Sequence, residues 1–338
     1  MADTTKRHLV VPIFIPFAGC PHKCIFCEQK KISGASQVKI LETLDTAVSS
    51  PHFYDRENRE IAFYGGTFTN LPLKTIEEML SSVLPYIKSG KFKSIRISTR
   101  PDAISDDICL LLKDKEVKTI EIGVQSMNDE VLMLAGRGHK AVDTIRSMEL
   151  LHKYDFISGV QLMPGLPGDN LKRFMDTIAD VIALKPDLAR LYPAVVIKGT
   201  GLSEKFYEGC YKPLELGEAV SWCAEASTKL EESGVNVIRI GLMETQSLSR
   251  GDNVVAGPYH PAFGHMVKSL QYHKRIEKYF KRLPWKKVCV LVNKNELALF
   301  CGYKNDGIIR ASNVLQAEIT KVRGDINISP GMIFFEEG

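Results

Sequence analysis

The 338-residue chain has the composition of a folded, water-soluble protein. Hydrophobic residues make up 44% and charged residues 25%, which excludes a disordered chain, and no apolar run reaches the length of a membrane-spanning helix. The net charge of +4 is too small to indicate a class of partner. The start, MADTTKRHLVVPIFIPF, lacks a long apolar segment followed by a small-residue cleavage site. We therefore expect a cytoplasmic protein that does not associate with a membrane.

Apolar, β-branched runs alternate with amphipathic segments along most of the chain. The predicted strands are 9–17, 60–66, 94–99, 119–126, 157–165, 188–197 and 236–242. The predicted helices are 38–49, 73–88, 105–115, 128–153, 170–184 and 214–233. Strand, helix and strand in repeated order indicate parallel βαβ units, in a barrel or a doubly wound sheet. Because glycines and polar residues follow several strands, the pattern favours a barrel with a functional mouth.

The alternation stops near residue 243. The segment SLSRGDNVVAGPYHPAFGH is typical of a loop, and a basic helix follows it. Beyond that helix, VCVLVNK, ELALFCGYK and GMIFF predict a small β-rich unit. We predict three parts: a barrel over 1–245, a loop and basic helix over 246–287, and a β-rich appendage over 288–338.

Three of the eight cysteines lie close together in the stretch GCPHKCIFC. Cys20, Cys24 and Cys27 have C-x3-C-x2-C spacing, and in a reducing compartment such a group indicates metal binding or catalysis. A structural zinc site uses four ligands, and His22 lies awkwardly inside the cysteine loop. Iron–sulfur clusters are normally held by cysteine thiolates on every iron. Three thiolates would hold three corners of a 4Fe–4S cluster and leave one iron open to a substrate or cofactor.

The cysteine motif, with the aromatic Phe26 before its last cysteine, resembles that of the radical S-adenosylmethionine (SAM) superfamily. The resemblance extends over several motifs between roughly residues 8 and 245, and it implies an α/β fold, a partial (β/α)6 barrel of the TIM type. In that superfamily SAM chelates the open iron, and an electron from the cluster cleaves it to methionine and a 5′-deoxyadenosyl radical. The resemblance therefore implies a 4Fe–4S cluster on Cys20, Cys24 and Cys27, SAM as a second cofactor, and an external electron donor.

The resemblance also assigns residues to SAM. The segment Tyr64-Gly65-Gly66-Thr67 resembles the GGE-like motif that binds the SAM amino group through its backbone. The stretch GVQSMNDEVLMLAGRGH resembles one shared by oxygen-independent coproporphyrinogen oxidases and the Elongator catalytic subunit. It implies that Gln125 contacts the SAM ribose and that Arg137 contacts the SAM carboxylate. The cofactor-binding residues that we predict are Phe26, Gly65, Gly66, Thr67, Ser98, Gln125, Arg137 and Gln161.

Two of these residues depart from the coproporphyrinogen oxidase pattern. Ser98 and Gln161 stand where those enzymes carry carboxylates, so we expect ribose binding through different atoms and find porphyrinogen chemistry disfavoured. The segment RLYPAVVIKGTGL resembles the R-Y-P…V-I-x-G-T segment of Elongator-type enzymes, which modify the wobble uridine of tRNA. The roughly 95 residues after Leu242 do not resemble an acetyltransferase domain. We therefore predict an Elongator-like core with a different tail.

The stretch KSLQYHKRIEKYFKRLPWKK, residues 268–287, interleaves basic and aromatic side chains. Basic groups neutralise phosphates and aromatic rings stack on unpaired bases, so this stretch is a candidate contact for tRNA or another RNA. The same pattern is typical of an amphipathic helix whose apolar residues pack on the barrel. That packing would involve Tyr272, Ile276, Tyr279, Phe280 and Leu283.

Three functions remain open from the sequence. The first is a radical SAM enzyme that acts on tRNA or another RNA, and the second is an enzyme of the same chemistry that acts on a small metabolite or tetrapyrrole. The third is a non-catalytic iron–sulfur redox protein. The third is disfavoured, because such a protein has no use for a set of SAM-binding residues.

Overall fold

The structure is a computed structural model, and it describes residues 8–33, 39–243, 248, 253–277 and 284–338. The strands are β1 (His8–Phe14), β2 (Asn58–Tyr64), β3 (Ser94–Thr99), β4 (Val117–Gln125), β5 (Ile157–Leu162), β6 (Leu188–Leu191), β7 (Val196–Ile197), β8 (Asn236–Ile240), β9 (Val254–Ala256), β10 (Lys287–Asn293), β11 (Glu318–Asp325) and β12 (Ile333–Glu337).

The helices alternate with the strands over the first two thirds of the chain. They are α1 (Gln29–Ser33), α2 (Ile40–Val48), α3 (Leu73–Lys88), α4 (Asp106–Asp114), α5 (Asp129–Leu134), α6 (Ala141–Lys153), α7 (Leu171–Ala183), α8 (Gly201–Tyr207), α9 (Leu216–Glu232), α10 (Phe263–Ile276), α11 (Leu297–Cys301) and α12 (Asp306–Leu315). Within the described residues, no helix is both long and apolar enough to cross a membrane.

Seven parallel strands form one curled sheet in the order β1-β2-β3-β4-β5-β6-β8. This order confirms the prediction of a partial barrel of parallel βα units. Alternate residues of each strand point to opposite faces. Ile61, Ile97 and Ile122 lie on the outer face, in the main hydrophobic core. The residues that alternate with them along β2, β3 and β4 therefore point to the inner face of the sheet.

The inner face of the sheet carries a group of buried charges. Arg96 of β3 donates to Glu60 of β2 at 2.6 Å and to Glu121 of β4 at 2.7 Å, and all three side chains are less than 10% exposed. Arg190 of β6 forms an ion pair with Glu121 from the other side and donates to the Tyr64 hydroxyl at 2.5 Å. We call Glu60, Arg96, Glu121 and Arg190 the inner ion ladder.

The inner ion ladder is balanced in charge, with two carboxylates and two guanidinium groups. Burial opposes ionisation of Glu60, but the hydrogen bond from His8 and the charge of Arg96 outweigh it and lower the Glu60 pKa to about 2. Burial likewise opposes the charge of Arg96, while Glu121 and Glu60 together raise its pKa. Both partners therefore remain ionised near neutral pH.

Four predicted segments differ from those observed. The segment 247–265, predicted to be a loop, contains β9 and the start of α10. The predicted strand 188–197 divides into β6 and β7 around Pro193, which has no N–H to donate to a ladder, and β7 pairs with β9 instead. The predicted helix 128–153 divides into α5 and α6 at Gly136 and Gly138, which have φ of 64° and 71°. The segment ELALFCGYK was predicted to be part of a β-rich unit, but it is helical in α11.

The C-terminal part forms a second sheet in the order β11-β10-β12, which confirms the β-rich appendage. Helix α10 belongs to both cores. Its Phe263 and Val267 lie in the core of the partial barrel, whereas Tyr272 and Ile276 lie in the core of the appendage. Packing of Tyr272 and Ile276 on the barrel, as the amphipathic pattern predicts, is therefore wrong. Tyr279, Phe280 and Leu283 lie outside the described residues.

The inner ion ladder predicts a large effect of removing its central cation. We expect Arg96→Met to lower the free energy of unfolding by about 3–5 kcal/mol, because Glu60 and Glu121 would be left buried without a partner. Urea unfolding at pH 7 measures this change. Arg323→Met removes an arginine that is about half exposed and paired with Glu336, and it should change stability by about 1 kcal/mol or less. Equal effects of the two substitutions would contradict the role of the ladder.

Candidate active site at the barrel mouth

The three clustered cysteines lie on the loop that follows β1, at the carboxyl end of the sheet. The middle of this loop is held by backbone hydrogen bonds from Ile25 N to Ala135 O at 3.2 Å and from Leu202 N to Ile25 O at 2.7 Å. Cys24 and Phe26 are 8% and 9% exposed and pack with Val131 and other apolar residues that follow β4 to β6. The loop is thus fixed to the ends of several strands, and Phe26 serves as part of its apolar support.

The Gly65-Gly66-Thr67 segment at the end of β2 joins this cysteine loop directly. Thr67 N donates to Ala18 O at 2.7 Å, and both glycines have positive φ, at 80° and 62°. A Cβ atom at Gly66 would overlap the carbonyl oxygen of Ala18. Glycine at position 66 is therefore required for the two loops to pack together.

Gln29, at the start of α1, connects the same two loops through its side chain. Its Oε1 accepts hydrogen bonds from Gly66 N at 2.8 Å and from Phe17 N at 2.5 Å. Its side chain also lies beside the Cys27 thiol and acts to lower the pKa of that thiol, against the larger effect of burial. The sequence did not identify Gln29 as a site residue, because a glutamine after the last cysteine has no periodicity or spacing that distinguishes it from its neighbours Glu28 and Lys30.

Each of the three thiols has a polar side chain beside it, and the three polar residues come from three separate segments of the chain. Thr67 Oγ1 lies 3.5 Å from Cys20 Sγ, Arg137 Nη1 lies 3.1 Å from Cys24 Sγ, and Gln29 reaches Cys27. Burial and the neighbouring Cys24 thiol raise the pKa of Cys27 to about 12. The Cys27 thiol is therefore protonated near neutral pH unless a positive charge compensates its ionisation.

The donor set fits a cluster held by thiolates. Within the described part of the chain, no group of three or more His, Cys, Asp or Glu side chains is arranged to hold a single metal ion. His22 is exposed and lies against Gly138, where a Cβ atom would overlap its ring. Cys20, Cys24 and Cys27 bring three thiols to one loop, which is the donor type that holds 4Fe–4S clusters, and their binding of such a cluster stays a prediction.

The remaining predicted SAM-binding residues lie at the ends of β3, β4 and β5. Gln161 Nε2 donates to Gln125 Oε1 at 3.3 Å, and Gln125 is 3% exposed with a φ of 67°. Ser98 Oγ donates to Phe63 O at 3.4 Å. The structure brings Gln125 and Gln161 together at the mouth, while the binding of SAM to these residues stays a prediction.

Arg137 lies between β4 and the cysteine loop. Its Nη1 contacts Cys24, and its Nη2 donates to Gly123 O at 2.5 Å. Its Nε is buried without a hydrogen-bond partner among the described residues. The neighbouring His139 is 4% exposed, and burial together with the charges of Arg137 and Arg100 lowers its pKa to about 3. His139 is therefore neutral near pH 7. The positive charge that contacts Cys24 is the guanidinium of Arg137.

The chain matches two family models in succession. Residues 14–181 match the model of the radical SAM superfamily, and residues 186–273 match that of the radical SAM C-terminal domain. The chain belongs to the radical SAM superfamily. It is a radical SAM enzyme, and the superfamily implies SAM and a 4Fe–4S cluster as its cofactors.

The relatives of the chain include two kinds of named protein. It is 27% identical to the tRNA uridine(34) acetyltransferase of Methanocaldococcus infernus, over 62% of this chain and 47% of that protein. It is 26% identical to the heme chaperone HemW of Lactococcus lactis, over 54% of this chain and 48% of that one. The chain spans about half the length of each. The solved structure of Methanocaldococcus infernus Elp3 superposes with a TM-score of 0.66 at 21% identity, over 80% of this chain and 63% of that one, which shows a shared fold.

The two hydrogen bonds accepted by Gln29 predict a local effect of its replacement. We expect Gln29→Ala to leave the N–H groups of Phe17 and Gly66 without partners, which costs about 1–3 kcal/mol for each group that stays buried. Hydrogen exchange measured by mass spectrometry should become faster in peptides that cover residues 15–20 and 64–68. Gln29→Glu keeps an acceptor oxygen at the position of Oε1, so its exchange should stay close to that of the parent. Slow exchange in the alanine variant would contradict the contact.

Proposed function

We propose that this enzyme cleaves SAM reductively at a 4Fe–4S cluster held by Cys20, Cys24 and Cys27, and that it uses this chemistry to modify tRNA or another RNA. The observation that supports the cluster site is the arrangement of three thiols, each beside one polar side chain, on a loop fixed to the mouth of a parallel barrel. In this proposal an external donor supplies the electron, and the protein acts in the cytoplasm.

The bound cluster would supply an electron to SAM and a coordination position for it, and the residues of the chain would position both groups. The backbone of Gly65 and Gly66, fixed by Gln29, would face the amino group of SAM. Gln125 and Gln161 would present amide groups to the ribose, in place of the carboxylates of coproporphyrinogen oxidases. Because Cys24 and Phe26 are buried, the part of the loop that they form would exclude water from the cluster.

The substrate class rests on the Elongator-like core and on the charge of helix α10. Lys268 and Lys274 on this helix are exposed, as are Lys286 and Lys287 beyond it. Arg275 is paired with Glu296 at 3.0 Å, and Tyr272 and Trp285 contribute to the appendage core, so these residues are used in packing. The RNA contact would therefore depend on lysines that bind phosphates, and the described aromatic residues would not stack on bases.

A tetrapyrrole is the second candidate substrate. It is favoured by the similarity to the heme chaperone, whose name implies heme as its ligand. The loop before α10 carries His260, a residue type that can bind heme iron. The ring of His260 already packs against that of Tyr303, with 4.7 Å between the ring centroids, and its Nδ1 accepts a hydrogen bond from Ala262 N. RNA is the better-supported substrate, because the chain resembles the tRNA-modifying relatives in both sequence and fold.

The cluster assignment predicts that each clustered cysteine is needed for iron binding. We expect the variant with Cys20, Cys24 and Cys27 all changed to Ala to lose its iron and sulfide after anaerobic reconstitution, and to lose SAM cleavage as well. Circular dichroism should remain that of a folded barrel, because the loop lies outside the main core. Cys210→Ala changes an exposed cysteine and should keep full iron content. Full iron content in the triple variant would contradict the assignment.

The RNA proposal predicts a salt-dependent affinity that depends on α10. We expect Lys268→Gln with Lys274→Gln to weaken tRNA binding and to reduce the slope of log affinity against log salt by about 0.7–0.9 for each phosphate that is no longer neutralised. Lys74→Gln with Lys118→Gln removes the same charge elsewhere and should leave the slope of the parent. Equal slopes in both variants, or no modified nucleoside that depends on this gene in tRNA, would contradict an RNA substrate. Binding of a porphyrin in its place would support the second candidate.

A further inference from the structure

Arg137 contacts the cysteine loop through the sulfur of Cys24. Its Nη1 lies 3.1 Å from Cys24 Sγ, and both residues are buried, at 6% and 8% exposure. The sequence resemblance assigns Arg137 to the carboxylate of SAM, which is a different partner. In the structure, two of the three guanidinium nitrogens already have partners, and Nε is the one that remains without one among the described residues.

The position of the guanidinium is fixed from the side of β4. Gly123 O accepts from Nη2, and a Cβ atom at Gly123 would lie only 3.3 Å from Nη2 and 2.9 Å from the Nε2 atom of Gln125. Any residue larger than glycine at position 123 would therefore displace Arg137 or Gln125. The backbone bond to Gly123 and the absence of a side chain there hold Arg137 against Cys24.

A positive charge beside a cluster thiolate has a definite electrostatic consequence. Reduction adds one negative charge to the cluster, and a nearby cation that donates a hydrogen bond stabilises the reduced form more than the oxidised form. Such contacts raise the reduction potential of iron–sulfur clusters. Because Arg137 is buried, water screens this interaction weakly. Thr67 and Gln29, which contact the other two thiols, are neutral.

We infer that Arg137 raises the reduction potential of the cluster through its hydrogen bond to Cys24, as a residue that positions and polarises the thiolate. The inference rests on the proposed function, since it requires that Cys24 is a cluster ligand. It goes beyond that function because it gives Arg137 a role in electron uptake, which the proposed function does not assign to any residue. Arg137 would thus determine how readily the external donor reduces the enzyme.

A redox titration of the reconstituted protein without SAM tests the inference, with the reduced cluster followed by electron paramagnetic resonance. We expect Arg137→Met to lower the ratio of reduced to oxidised cluster at a fixed potential by about tenfold, which is about 59 mV for a one-electron couple. Arg137→Lys keeps the charge and should fall between the parent and the methionine variant. If Arg137→Met does not retain the cluster, Arg137→Gln carries the test by the same criterion.

Arg323→Met is the matched control. Arg323 Nε lies 3.1 Å from Cys289 Sγ in the appendage, so this variant removes the same kind of contact from a cysteine outside the cluster motif. Its midpoint potential should equal that of the parent.

The outcomes separate the inference from the proposed function. If the parent protein binds no cluster, the proposed function fails and the inference fails with it. If the parent binds the cluster and Arg137→Met shifts the ratio no more than Arg323→Met does, the inference alone is overturned. An unchanged ratio combined with weaker SAM binding would assign Arg137 to the SAM carboxylate and would also overturn it.

Discussion

The ion pairs of Glu121 with Arg96 on one side and Arg190 on the other hold the strands of the partial barrel in register. These side chains are buried on the inner face of the sheet, where an unpaired charge is strongly destabilising. Each pair joins neighbouring or nearby strands, and a shift of one residue in any strand would turn its charge toward the apolar face. The ladder therefore also fixes the level at which β2, β3, β4 and β6 end at the mouth.

The site is assembled from the loops and helices that begin at those strand ends. The cysteine loop after β1 is joined to the segment after β2 through Gln29, to the segment after β4 through Ile25 and Arg137, and to α8 through Leu202. Three thiols separated by only a few residues thus receive partners from parts of the chain up to 113 residues away. A loop of this kind would not hold a fixed geometry by itself, because its apolar contacts are made with the barrel.

The sequence predicts the repeating part of this molecule well and the contacts that cross it poorly. The seven strands have hydrophobic patterns that identify them, and the spacing of Cys20, Cys24 and Cys27 identifies the superfamily. Pro193 and the glycines before α6 divide elements that periodicity alone joins, since apolar spacing does not record a break in the backbone. The roles of Gln29 and Arg137 depend on distances between segments far apart in the chain. No local pattern predicts that the Arg137 guanidinium lies on Cys24.

The proposed chemistry requires that the three cysteines hold a cluster whose fourth iron is open to SAM. The electron paramagnetic resonance spectrum of the reduced, reconstituted protein, recorded before and after the addition of SAM, examines this requirement directly. Coordination of SAM to one iron changes the symmetry of the cluster, so we expect the g values of the reduced cluster to shift in the presence of SAM. A spectrum of a fully assembled cluster that stays unchanged at saturating SAM would contradict an open iron at this site.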